Sequence, residues 1–341
     1  MTVTYRRLVL RKRLILCALA VLLLGSVLLD LALGPARYSL SEVLGALLSP
    51  ETAAPQVRVV MWDIRLPVAL MAVAVGAALS LAGAQMQTIL NNPLASPFTL
   101  GLSAAASFGA AMGLAFGVAL FPLAAQYMVP LNAFIMAMLC ALLIHFLSLR
   151  RGVTAETIVL LGIALVFTFN ALLALVQFFA TEQAVAAVVF WTMGSLTKAT
   201  WPKLGVICVV ILITLPIFAK RAWALTALRL GDDKAASFGI NVRSLRFQTL
   251  IMVSLLASFP VAFVGTIGFI GLVGPHIARM LIGEDQRFFL PASLLTGALI
   301  LSASSVVSKT LIPGRSVGPA RRCEIRATTG RHGPPGCRAR H

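Results

Sequence analysis

Charged side chains are scarce in this sequence. Asp, Glu, Lys and Arg make up 11% of 341 residues, where a soluble chain of this length carries about a quarter. Tyrosine occurs three times and cysteine five times. No pair of cysteines has CxxC spacing, which excludes a zinc ribbon or a thioredoxin-like redox pair. Cys17, Cys140 and Cys208 lie inside apolar stretches, where cysteine packs as a small hydrophobe, and Cys323 and Cys337 lie near the end. There is no Gly-Lys dipeptide, so the chain has no GxxxxGK[ST] phosphate loop and no site of its own for ATP hydrolysis. HExxH and GxGD are missing too, which removes two intramembrane protease mechanisms.

What is present is apolar length. Hydrophobic residues make up 59% of the chain and mean hydropathy is +0.95. Apolar segments run at about 14–33, 66–88, 98–121, 129–149, 154–180, 203–219, 247–264, 266–282 and 289–309. Helices of about twenty residues cross a ~30 Å hydrocarbon core, so the expected fold is all-α, a polytopic membrane helical bundle over residues 1–312. The least settled division is 247–282, because Gly265, Gly268, Gly271, Gly274 and Pro275 suit either two spans or one broken helix.

Net charge is +17, and its placement gives the orientation. Arg6, Arg7, Arg11, Lys12 and Arg13 precede the first span and put the N-terminus in the cytoplasm. Alternate crossings then place Arg150, Arg151 and the loop 220–246 inside as well, and both clusters are basic. Residues 34–64 carry Arg37 and Arg58 against Glu42, Glu51 and Asp63, which suits the outer side. Basic loops beside membrane spans require lipid, not nucleic acid, as their partner.

Two internal segments look alike, Gly76–Gly101 and Ser258–Gly283. Each passes from an apolar helix through glycine to a proline-containing break, a pattern of transporter repeats whose broken helices line the path. Gly109, Gly113 and Gly117 recur every four residues and allow close helix packing. Gln85, Gln87, Asn91, Asn92, Asn170 and Gln177 are polar groups at membrane depth, suited to a cavity or to interhelical hydrogen bonds.

RLP at 65–67, AGAQMQ at 82–87, NNPLASP at 91–97, WTMGSL at 191–196, GDDKAASFG at 231–239 and GTIGFIGLVGPHIAR at 265–279 stand in order along the chain. In these motifs the chain resembles the FecCD-type permeases of binding-protein-dependent ABC importers, which carry ferric siderophores, haem and cobalamin. The resemblance covers residues 14 to about 312. It implies a ten-span subunit working as a homodimer or close heterodimer, with a second permease copy beside it. It also implies two cytoplasmic ABC ATPase subunits, which bind the ATP and Mg, and a periplasmic or lipid-anchored substrate-binding protein. No cofactor or metal is expected in the chain itself. Iron-siderophore import is the expected role, with haem or cobalamin import by the same architecture as the alternative.

The resemblance also assigns residues. Asp232, Asp233, Lys234, Phe238 and Gly239 fall in the segment that couples to the ATPase, and LGDDKAASFGI independently reads as a short helix ended by glycine. Arg65 and Lys309 match positions that face acidic residues of the binding protein. The chain departs from the pattern there, with Val68 in place of an arginine and Ser305 in place of an aspartate. The broken-helix motifs, expected to line the translocation path, hold Gln85, Gln87, Asn92, Pro93, Pro97, Gly268, Gly271, Pro275, His276 and Arg279.

Two other classes compete. An intramembrane serine hydrolase would use Ser103 with His145 or His276 as base. A passive channel would need no ATPase partner. Finally, residues 313–341 change character: beyond Gly314 lie seven arginines and one glutamate, a net +6. Each arginine at mid-bilayer costs about 2.5–3.5 kcal/mol, so this atypical basic tail cannot be the tenth span. It reads as a frameshifted or disordered end, or as a tail that binds anionic lipid.

Overall fold

The computed structural model describes residues 2–34, 38–51, 53–120, 125–148 and 155–311. The expectations for Arg37, Arg150, Arg151 and the basic tail 313–341 fall outside these residues. Among the described residues the chain is helical and has no strand. In order the helices are α1 (Thr2–Ala32), α2 (Leu40–Leu48), α3 (Pro55–Val59), α4 (Leu66–Ile89), α5 (Leu102–Phe116), α6 (Ala125–Ser148) and α7 (Ala155–Phe179). They continue as α8 (Glu182–Thr192), α9 (Trp201–Lys220), α10 (Ala222–Leu228), α11 (Asp232–Ser237), α12 (Val242–Val264), α13 (Ile270–Ile282) and α14 (Gln286–Leu311). A π-helical turn, Val60–Arg65, joins α3 to α4 without a gap.

Among the described residues seven helical stretches are long and apolar enough to cross a bilayer. The two remaining apolar segments of the sequence form shorter helices than expected, α5 with 15 residues and α13 with 13. At 1.5 Å per residue these reach only about 22 and 20 Å. Pro93, Pro97 and the left-handed Gly101 (φ 83°) keep residues 90–101 non-helical, so what looked like a span from 98 begins at Leu102. Gly265 (φ 83°) ends α12, and residues 265–269 separate it from α13. The stretch 247–282 is therefore two helices around a break, and Pro275 lies within α13, not in the break.

The centre of the bundle is α4, buried along almost its whole length. It is rich in Ala, Gly and Ser, and small residues let neighbouring backbones come close. A methyl group on Gly83 would collide with the Gly271 backbone of α13, and one on Gly76 with the Gly297 backbone of α14. Ser80 fills the gap between Gly274 and Gly297 and donates to Ser293 O at 2.6 Å. Gly109 and Gly113 likewise admit Asn132 of α6 against α5, whereas Gly117 (φ 64°) caps the helix. Helix α2 starts with a capping box in which Ser39 and Glu42 bond each other's backbone N–H.

Candidate functional site

Three zones hold the residues that the sequence singled out. The first is the segment 221–241 between α9 and α12, expected on the cytoplasmic side. Here α11 forms as expected. Asp232 and Asp233 occupy its first turn, where the helix dipole favours acids. Gly239, at φ 78°, ends it with Gly239 N–H on Ala236 O (2.9 Å) and Ile240 N–H on Ala235 O (3.2 Å). Asp233, Lys234 and Phe238 are exposed. Phe238 packs on Trp223 of α10, with ring centroids 6.2 Å apart; α10 itself is too short for the sequence to have marked it. Asp232 receives both Nη groups of Arg246 at 2.7 and 2.8 Å, and Arg246 Nε donates to Ile89 O, at the end of α4, at 2.9 Å.

The second zone is the pair of breaks, 90–101 and 265–269. The two similar segments lie at α4 with the break after it and at α12 with the break after it. Their breaks meet. Ser96, Pro97 and Phe98 face Ile267, Phe269 and Gly271 across a cavity of about 20 Å³. Phe269 is mostly exposed and held at φ 67°, a strained setting for a bulky residue. The motif 191–196 packs on the same place: Ser195 N–H donates to Val264 O at 2.6 Å and the Thr266 hydroxyl to Thr192 O. Gly194 (φ 70°) lies so close to the Thr266 backbone that no side chain fits. This contact between two motifs is invisible in sequence, because 74 residues separate Thr192 from Thr266.

The expected path residues divide here. Pro97 and Gly271 line the small cavity, and Gly268 packs beside Phe98. Asn92 and Pro93 line a cleft of about 420 Å³ with Asn91 and Glu156 at the start of α7. Gln85 and Gln87 line neither. Gln85 Nε2 donates to Gln286 Oε1 (3.2 Å), Gln286 Nε2 donates to Thr88 Oγ1 (3.0 Å), and Gln87 Oε1 accepts from Arg279 Nη2 (2.7 Å). These buried glutamines hold α4 to α13 and α14. Interhelical hydrogen bonds thus take up the Gln85 Nε2 and Gln87 Oε1 groups, while Gln85 Oε1 is buried without a hydrogen-bond partner among the described residues. Pro275 is buried and His276 is exposed on α13. Asp285, in the turn before α14, has its carboxyl held below the usual range, first by the hydrogen bond from Arg287 and against its partial burial.

The third zone is the C-terminal end of α1, expected at the outer face. Arg65 is buried, with Nη1 donating to Leu31 O at 2.6 Å and the guanidinium 4.8 Å from the Tyr38 ring centre. Lys309 Nζ lies 2.9 Å from Asp30 Oδ2 and donates to Asp30 O at 3.0 Å. Both cations already serve this chain, so a docking protein would have to compete for them. Neither partner was apparent in sequence, since Asp30 and Lys309 are 279 residues apart.

Ser103 is buried at the start of α5, and no hydrogen bond joins it to either histidine among the described residues. His145 stacks on Phe247 with centroids 3.9 Å apart. Among the described residues no three metal-ligating side chains converge.

A model of the FecCD transport family matches residues 21–319. The chain belongs to this family. The ABC transporter permease protein MJ0087 of Methanocaldococcus jannaschii is 37% identical over 83% of this chain and 82% of its own length. The hemin transport system permease protein HmuU of Yersinia pestis is 36% identical over 74% of this chain and 77% of its own length. A solved inward-facing conformation of an ABC transporter assigned to the metal-chelate type superposes with a TM-score of 0.76 at 28% identity, covering 92% of this chain and 99% of that one. Relatives named for Fe(3+)-citrate import in Bacillus subtilis, molybdate import in Haemophilus influenzae and vitamin B12 import in Vibrio vulnificus are 35, 31 and 32% identical. They cover 73, 87 and 73% of this chain and 73, 88 and 74% of their own lengths. This FecCD chain is thus a multi-pass membrane permease subunit of an ABC importer, a transport component whose ATPase resides in separate subunits.

Proposed function

We propose that this permease carries an iron(III)-siderophore-type chelate inward. In this reading it works beside a second permease copy, a binding protein delivers the chelate, and two cytoplasmic ATPase subunits drive the cycle. The observation that carries the ATP-driven reading is the bond between Asp232 and Arg246. A segment outside the bundle is held by two charge-assisted bonds to a residue that also grips the end of the central helix. A displacement of α11 by a docked ATPase would reach α4 through one side chain. The exposed Lys234, Phe238 and Trp223 offer the mixed charged and aromatic surface that protein interfaces favour.

For the second copy, the support is α7. It exposes Leu160, Phe167, Leu175 and Phe178, together with the amide of Asn170. An uncompensated amide at this depth is costly in lipid and suits a protein face or a wet path. For the substrate, the names of relatives spread over haem, Fe(3+)-citrate, molybdate and vitamin B12, and iron chelates are the commonest thread. Haem import by the same architecture is the second reading, favoured by the 36% identity with HmuU. Competition for binding-protein-dependent uptake decides between them: excess ferric siderophore should suppress labelled iron uptake, whereas suppression by haem alone would favour the second reading.

A further inference from the structure

A second ionic link runs parallel to the Asp232–Arg246 bond. Arg229, between α10 and α11, reaches the turn that joins α13 to α14, where its Nη2 lies 2.5 Å from Glu284 Oε1. The same oxygen lies 3.5 Å from Arg279 Nε of α13. Arg279 in turn donates to Gln87 of α4 at 2.7 Å. One carboxylate therefore bridges two arginines, one on the cytoplasmic segment and one on the broken-helix element α13. Both arginine side chains are mostly buried, with 16% exposure each, while the Glu284 side chain is half exposed. A bridge of this kind resists screening on the arginine side yet can open on the glutamate side.

The two links are anchored two residues apart on α4, at Gln87 and at Ile89 O. A body held at two points transmits rotation as well as translation. α11 alone, tied through Arg246, can pull on α4 but cannot set the angle of α13. Glu284 supplies that missing constraint, and α13 forms one wall of the small cavity between the breaks through Gly271 and Leu272.

We infer that Glu284, with Arg229 and Arg279, is a positioning triad that ties movement of the cytoplasmic segment to the tilt of α13 and so to opening of the breaks. The inference rests on the importer reading above. Its specific claim is that Glu284 governs how much substrate moves per ATP hydrolysed, beyond its part in holding the fold.

The test uses the full chain reconstituted with its ATPase subunits and binding protein in proteoliposomes, supplied with ferric siderophore. Substrate moved per ATP hydrolysed is compared for the unaltered chain, Glu284→Gln and Glu284→Asp, with co-purification of the ATPase recorded for each. Glu284→Gln should lower the ratio by about fivefold or more with the ATPase still bound, and Glu284→Asp should recover most of it. An unchanged ratio in Glu284→Gln overturns the inference. So does a ratio that falls only together with loss of the ATPase, because that marks a merely structural residue. If the unaltered chain moves no siderophore with ATP, the siderophore reading fails and the comparison is repeated with haem; if neither moves with ATP, the importer reading fails and takes the triad with it.

Discussion

Lys309 in the last turn of α14 sits 2.9 Å from Asp30 of α1, and the Asp30 side chain is fully buried. Ser26 and Ser302 bond at 2.8 Å on the same interface, so the first and last described helices are joined by paired polar contacts. A buried carboxylate is tolerable only while a cation compensates it. Lys309 is therefore a structural partner first.

Lys309→Met should destabilise the chain by about 3 kcal/mol, the lower end for a buried pair because Lys309 keeps some exposure. Adding Asp30→Asn should restore most of the loss. Thermal unfolding in detergent checks this. If the single variant melts with the unaltered chain while association with the binding protein drops at low salt, docking is the main role of Lys309 instead.

Close packing around α4 gives a steric prediction. Gly83→Val would drive a branched side chain into the Gly271 backbone, whereas Gly205 on α9 has open space. Size-exclusion profiles after membrane expression should show Gly83→Val largely aggregated and Gly205→Ala unaffected. Equal profiles would mean that α4 and α13 do not approach as closely as described.

Helix α11 gives a third. Gly239→Arg places a bulky cation in a left-handed conformation that only glycine adopts without cost. No atom lies within 4 Å of the added Cβ, so the bundle itself is not disturbed. Membrane insertion should therefore be normal and ATP-driven uptake lost. Normal uptake would remove α11 from the coupling pathway.

How far the sequence could be read depends on what held each feature. The nine apolar segments and the glycine-ended helix α11 were legible because bilayer thickness and backbone geometry act locally. The shortness of α5 and α13 was less so, since apolar composition extends through the breaks and hides their ends. The partners that Gln85, Gln87, Arg65 and Lys309 take within the chain were not legible. These partners are 201, 192, 34 and 279 residues away, and only the packed bundle brings them together.

Orientation can be checked directly. Reporter fusions after Leu230 and after Leu311 should read the cytoplasmic and the outer face, since an inside N-terminus and nine crossings separate them by an odd number of spans. The same face for both would break the count, most simply through α13.

ATP-driven uptake tests the central claim most directly. Proteoliposomes holding this chain and its ATPase subunits, with the binding protein outside and ATP inside, should accumulate labelled ferric siderophore. Omitting ATP, the ATPase or the binding protein should abolish it. Accumulation that persists without ATP, driven by the gradient alone, would contradict the account and make the protein a passive channel.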